Sequence, residues 1–436
     1  MREMKDSGIE WIGQIPKDWD KGHLKYYTQI KTGGTPSTSN QVWFDGDVLW
    51  FTPGDFDNIL LNDSKRKLSN LAVLFRVANL FPANTTMIVG IGGTAGKVGY
   101  TIKESYCNQQ ITALINKSNT YPKYITYLMF CFSDVLKDNA LYTTLPILNN
   151  QFIGDFSICI PKKLSEQRKI TDYLDTQCSE IDATAEDIQK EISLLEDYKK
   201  SVITEAVTKG LNPDAEMKDS GIEWIGEIPK DWELLKIGYV TKEISDIDHY
   251  MPSDSDDIDK VPYLMIGDLK ENISQIDFES CKYISKKVYR ALSIKSKPEK
   301  ENVIFARYAT IGTVCFVDSE KQLLVSYACL TVKANELIKG RFLFYYFKSN
   351  AFLEEVSQYV KSNTQGNIGK ESLIRAKIVV PKLKEQTQII SYLDSKCSEI
   401  DTLIADKKRQ LDILADYKKS LIYEYVTGKK EVPVNE

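Results

Sequence analysis

The chain has 436 residues, too many for one ordinary hydrophobic core and enough for two to four domains. Its 42% hydrophobic and 27% charged residues match a soluble globular protein, and no run of about 18 apolar residues is present to cross a membrane. The net charge of −5 argues at first against a nucleic-acid partner. The eight cysteines contain no CxxC pair, which excludes a zinc knuckle and predicts reduced, buried thiols.

Along the chain, residues 4–19 read MKDSGIEWIGQIPKDW, a charged segment with apolar anchors at Trp11, Ile12, Ile15 and Trp19. The start MREMKDSGIEW has no signal-peptide core, which predicts a cytoplasmic protein. Residues 20–160 alternate short strand-like runs (DVLWFT, TTMIVGI, KVGYTI, QITALI, FSICIP) with Gly and Asn turns, and a helical patch spans 122–137. That mixture predicts a compact α+β domain. After Pro161 comes a stretch without proline, and without glycine until Gly210. Its apolar residues recur at steps of three and four: Leu174, Cys178, Ile181, Ala185, Ile188, Ile192, Leu195, Val202. A period near 3.5 over several heptads means a long helix with one narrow seam, which needs a partner helix.

The plan then starts again. Residues 217–232 repeat the opening segment with one change in sixteen, Gln14 becoming Glu227, and with anchors Trp224, Ile225, Ile228 and Trp232. A second mixed block follows (VPYLMIGDL, NVIFARY, TVCFVD, LTVKA, AKIVVP, a helix near 340–360). A second long helix begins after Pro381, with its seam at Leu393, Cys397, Ile400, Ile404, Leu411, Leu414, Leu421 and Tyr425. The two helices align without a gap at an offset of 219, sharing EQ, YLD, CSEID, DYKKS and VT. Lys199, Lys407 and Lys418 interrupt the seam, either to snorkel or to fix register or a partner contact. The blocks between have diverged almost beyond alignment. A recent duplication explains the kept framework but not the divergent inserts.

This order resembles the DNA-specificity subunit of type I restriction–modification systems, and the resemblance covers essentially the whole chain. Its most specific parts are the doubled SGIEWIG(Q/E)IPKDW segment and the doubled EQ…I…YLD…C…EID…DYKKS helix. It implies an α+β fold of two globular target-recognition domains separated by two long antiparallel helices, with pseudo-twofold symmetry. The expected boundaries are residues 1–160 for the first framework segment and recognition domain and 161–213 for the first spacer helix. Residues 214–380 form the second framework segment and domain, and 381–436 the second helix and tail. The resemblance further implies binding to double-stranded DNA at a bipartite asymmetric target. Two methyltransferase (modification) subunits would dock on the helices, and an endonuclease/translocase (restriction) subunit would join them. S-adenosylmethionine, ATP and magnesium would belong to those partners, with no cofactor, metal or membrane contact in this chain. The alternative is a non-catalytic coiled-coil scaffold bridging other proteins, separated from the first reading by whether DNA sequence matters.

The charge distribution permits DNA binding. Residues 21–160 hold 12 Lys+Arg against 9 Asp+Glu and residues 260–380 hold 19 against 12, while residues 161–233 hold 10 against 18. Base edges are read by Arg, Asn, Gln, Ser and Thr, and phosphates by cations and backbone N–H groups. The first block offers Lys31, Gly33, Gly34, Thr35, Ser37, Lys97, Asn108, Gln109, Gln110, Thr143, Thr144, Asn149, Asn150 and Gln151. The second offers Arg307, Tyr308, Thr310, Ser326, Tyr327, Asn363, Thr364, Gln365 and Asn367. The glycines at 33, 34 and 366 would let backbone approach a phosphate. Helix pairing and partner docking fall to Leu174, Ile181, Ile188, Ile192, Leu195, Leu393, Ile400, Ile404, Leu411 and Leu414. Catalytic motifs are missing. Only His23 and His249 are available, GIGGTAGKV lacks the spacing and hydroxyl of a phosphate loop, and no Pro-Pro occurs for an adenine methyltransferase motif.

Overall fold

The computed structural model describes residues 2–142, 145–247, 249–308, 311–360 and 367–433. The chain divides into two compact units, Met1–Ile188 with Arg409–Glu436, and Gln189–Lys408. Each long helix therefore gives one half to each unit.

The two units are built alike. In the first, strands Thr28–Thr32, Ile111–Asn116, Thr85–Val89 and Val98–Thr101 form an antiparallel sheet in that order. A smaller sheet sets Phe44–Phe51 parallel to Ser105–Cys107, flanked by Lys67–Leu68 and Leu80–Phe81. In the second unit the corresponding sheet is Thr241–Ser245, Cys329–Ala334, Val303–Ala306 and Val314–Phe316. Its smaller sheet sets Val261–Leu264 parallel to Leu324–Val325, beside Lys282–Ile284. Helices Pro122–Cys131 and Gly340–Lys348 cover the larger sheets, as the apolar patches at 122–137 and 340–360 predict. All eight cysteines are buried and unpaired. Burial pushes the Cys315 and Cys329 thiols up to about 12, which leaves them unreactive.

The long helices run Leu164–Lys209 and Leu383–Val426. Both end where a glycine takes a left-handed conformation, Gly210 at φ +77° and Gly428 at φ +70°. Six of the ten seam residues are buried (Leu174, Ile181, Ile192, Leu393, Ile400, Ile404) and four are half-buried (Ile188, Leu195, Leu411, Leu414). Within each unit the two helix halves are antiparallel, and the seam lysines set their register. Lys418 donates to both carboxylate oxygens of Asp182 at 2.6 and 2.7 Å, and Lys199 to both of Asp401 at 2.7 Å. Lys407 pairs with Glu191. Lys199 and Lys418 are the same position of the 219-residue repeat, as are Asp182 and Asp401. Each unit thus holds the same pair with the helices exchanged.

Most of the doubled motifs have a local task. The Trp19 indole N–H donates to Glu166 at 3.1 Å and that of Trp232 to Glu385 at 2.9 Å, so the Glu of EQ fastens the framework segment to a helix start. The adjacent Gln grips the recognition block by its main chain. Gln167 accepts from Tyr121 N and donates to the carbonyls of Asn119 and Pro161. Gln386 accepts from Lys339 N and donates to the carbonyls of Leu337 and Pro381. The Asp of YLD receives a tyrosine hydroxyl, Tyr127 to Asp175 at 2.6 Å and Tyr345 to Asp394 at 2.5 Å, with Lys123 and Arg341 ion-paired beside them. The opening segment also meets the end of the other helix: Tyr423 and Lys429 donate to the Ile12 carbonyl, and Gly428 leaves no room for a Cβ against Pro16 and Trp19.

Candidate functional site

In the first unit, four loops meet at one end of the larger sheet. Gly33 N donates to Ile111 O and Gly34 N to Cys107 O. Gly90 N donates to Gln110 O at 2.7 Å and Leu148 N to Gly90 O at 2.7 Å, which joins the loops after residues 89, 107 and 145. On this frame Thr35 donates to Gln109, and Gln110 is held by Asn108. The Asn150 amide bridges Thr32 and Thr112, its oxygen 3.1 Å from each hydroxyl. The surface is one of amides and hydroxyls, the groups that pair with base edges. Lys31 is exposed, and Ser37 bonds Ser39.

Several nominated residues serve the frame first. Asn149 caps the helix Asn150–Asp155 by accepting from Phe152 N, leaving Gln151 exposed in its first turn. Asn108 is buried in its own turn, and Lys97 donates to Phe56 O. Gly33 is needed for close packing: an added Cβ would stand 2.2 and 2.3 Å from the Asn108 and Cys107 carbonyl oxygens. Thr143 and Thr144 lie outside the described residues.

The second unit repeats the frame with different side chains. Arg307 N donates to Ala328 O, Ile368 N to Arg307 O, and Tyr308 bridges Asn367. Arg307 is ion-paired with Asp246, its side chain only 12% exposed. Tyr308, Tyr327 and His249 pack together, with ring centroids of His249 and Tyr327 4.2 Å apart and Tyr308 6.2 Å from His249. Three buried polar atoms here have no hydrogen-bond partner among the described residues: Arg307 Nε, Ser326 Oγ and Asn367 Oδ1. Buried polar groups left unpaired are costly. Thr310, Asn363, Thr364, Gln365 and Gly366 lie outside the described residues.

Thr32, Asp246 and His249 join these clusters beyond the candidates that residue type and loop position offer. Thr32 lies inside the 31–40 loop, and His249 takes part as an aromatic ring rather than as a metal ligand. No group of three or more His, Cys, Asp or Glu able to hold a metal occurs among the described residues. No helix among them is long and apolar enough to cross a membrane.

Comparison with known proteins agrees with this doubled plan. The family model for the type I restriction modification DNA specificity domain matches twice, over residues 16–194 and 229–412. The MjaIX specificity subunit of Methanocaldococcus jannaschii, from a type I restriction enzyme, is 24% identical over 431 residues, covering 97% of this chain and 95% of that one. The EcoBI specificity subunit of Escherichia coli is 20% identical over 324 residues, 73% and 68% of the two chains. Among solved structures, a chain from work on complex assembly and conformational transition of the type I R-M system superposes with a TM-score of 0.67. It is 13% identical and covers 95% of this chain and 99% of that one, a likeness of fold.

Proposed function

This chain belongs to the type I restriction–modification DNA specificity family, and from that premise we propose that its two loop clusters each read one half of a bipartite, asymmetric DNA target. The observation that supports this most is the contrast between frame and filling. Two backbone hydrogen bonds recur, Gly90 N to Gln110 O with Leu148 N to Gly90 O in one unit and Arg307 N to Ala328 O with Ile368 N to Arg307 O in the other. The side chains presented differ: Thr32, Thr35, Gln109, Gln110 and Asn150 against Arg307, Tyr308, Tyr327 and Asn367. Two different donor and acceptor patterns on one scaffold suit two different short sequences read from the major groove.

The helices fit the docking of methyltransferase subunits, and the repeat fits two of them. Leu194 and Ile413 occupy the same repeat position and are 68% and 60% exposed, and Tyr198 and Tyr417, one turn on, are 50% and 53% exposed. Exposed apolar pairs on the outside of a helix pair suit a protein partner. In this reading the chain itself is non-catalytic and works in the cytoplasm, where host DNA is. A restriction subunit completes the complex, and S-adenosylmethionine, ATP and magnesium are bound by the partners.

The test is a genome-wide map of modified adenines with and without this gene, its neighbours left intact. One gapped motif should lose methylation when the gene is removed. If every motif keeps its methylation while the methyltransferase is present, the recognition reading falls and a scaffold role takes its place.

A further inference from the structure

Each unit has a second feature beside its converging loops. Residues 64–79 contain four Lys or Arg and no acid, and residues 282–297 contain six and no acid. In both, a serine caps a short helix: Ser69 accepts from Ala72 N ahead of Asn70–Leu74, and Ser285 from Val288 N ahead of Lys286–Ser293. The segment after each helix is tied to the same place in its sheet. Asn79 donates to the Thr32 carbonyl at 3.0 Å, and Ser296 and Ser245 share a hydrogen bond of 3.0 Å. Thr32 and Ser245 are the last residues of the strands Thr28–Thr32 and Thr241–Ser245, where the candidate reading loops begin.

Large apolar residues stand in solvent here: Leu74 is 73% exposed, Phe75 66% and Ile294 86%. Arg76, also exposed, follows the first helix with φ +50°. Arg76 N donates to Val73 O and Val77 N to Ala72 O, the hydrogen bonds of a helix end that favours glycine at this position. An arginine is kept there against the preference of its own backbone. Lys65 and Lys67 are ion-paired with Asp57 and Asp63 in the first unit, and Lys286 and Lys297 with Asp259 and Glu299 in the second, so the exposed Arg76, Lys287 and Arg290 bear the argument.

We propose that these two helices grip the DNA backbone beside each half-site, with Arg76 in one unit and Lys287 and Arg290 in the other contacting phosphates. Leu74, Phe75 and Ile294 lie against the sugar edge. The proposal rests on the recognition reading above. A phosphate contact carries no sequence information. It should therefore occur in both units where the base-reading side chains differ, and both hold a serine-capped helix with exposed cations, Arg76 after the first and Lys287 and Arg290 within the second. Exposed cations beside exposed apolar residues, outside the local ion pairs, suit a polyanion more than a protein of mixed charge.

The test uses the full chain with its methyltransferase subunits, as wild type, Arg76→Gly, and the double variant Lys287→Gln with Arg290→Gln. Binding is measured to a labelled duplex bearing the mapped target and to a scrambled duplex, across a salt series. Each removed contact should weaken both duplexes alike, about fivefold near 0.15 M salt, and should lower the salt slope by about one. Arg76→Gly should melt no lower than wild type, since glycine suits the left-handed position. Unchanged affinity overturns the proposal. So does a loss confined to the target duplex, which would make Arg76 a base reader. Loss of co-elution with the methyltransferase assigns the surface to that protein and overturns it too. A wild-type complex that binds both duplexes equally is a different failure, that of the recognition reading itself.

Discussion

Lys199 is 8% exposed, yet it is charged and well partnered. Burial works against its ammonium, but hydrogen bonds to Asp401 and Glu271 outweigh that and hold it above its ordinary value. Burial also works against the Glu271 carboxylate, yet Lys348 and Lys199 bring it down from 4.5 to about 2. Lys348 itself is pushed below its ordinary value by burial, although Glu271 lies against it. A carboxylate held below its unfolded value stabilises the fold above that value and loses the effect as pH falls through the folded one. The second unit should therefore lose stability between about pH 4.5 and pH 2 through Glu271. Melting curves across that window should flatten in Glu271→Gln, whose neutral-pH stability is lower from the start. An unchanged acid profile would remove Glu271 from the account. In the first unit Lys418 is ion-paired with Asp182, and Phe130 stands where Lys348 does in the second.

At the level of elements, the long helices were the most legible part of the sequence. Their seam follows from the 3.5-residue spacing and their ends from Gly210 and Gly428, whereas their antiparallel pairing came only with the family resemblance, because a heptad seam fits either orientation. The strands were legible as runs but not as a sheet order, since pairing between distant strands such as Thr28–Thr32 and Ile111–Asn116 depends on tertiary packing. The loop clusters were legible in part. Asn, Gln, Ser and Thr mark polar loops, but the same residue types cap helices and close turns, as Asn149 and Asn108 do. In the proposed reading the helices separate two roles by face. Ile188 and Ile192 face the seam, and their joint replacement by Asp should unfold the pairing and abolish methyltransferase assembly together, at a cost of about 3 kcal/mol or more. Leu194→Asp with Ile413→Asp, on exposed positions, should leave melting within about 0.5 kcal/mol of wild type and release the methyltransferase on a sizing column. Equal behaviour of the two variants would mean that seam and docking face are not distinct.

For the whole molecule, the exchange of the Lys–Asp pair has a direct consequence. Lys199 meets Asp401 and Lys418 meets Asp182, yet Lys199 and Lys418, like Asp182 and Asp401, are one position of the repeat. A fragment of residues 1–213 lacks the second helix but contains both members of the pair, Asp182 and Lys199. Two such fragments can satisfy each other twice over, as an isologous dimer does. Sedimentation should find the fragment dimeric, and Lys199→Asp should return it to monomers. A well-folded monomeric fragment would contradict the helix register described above.

The grip of Gln167 and Gln386 on main-chain atoms bears on how such a chain can change over generations. A socket that recognises only peptide groups is indifferent to most substitutions in what is plugged into it. Mutations or recombined segments inside a block are tried out without loosening its seat, so long as the tyrosine that meets Asp175 or Asp394 is retained. Under the proposed reading, a block whose loops change would keep its seat, and a chain with a new target would inherit its assembly unchanged.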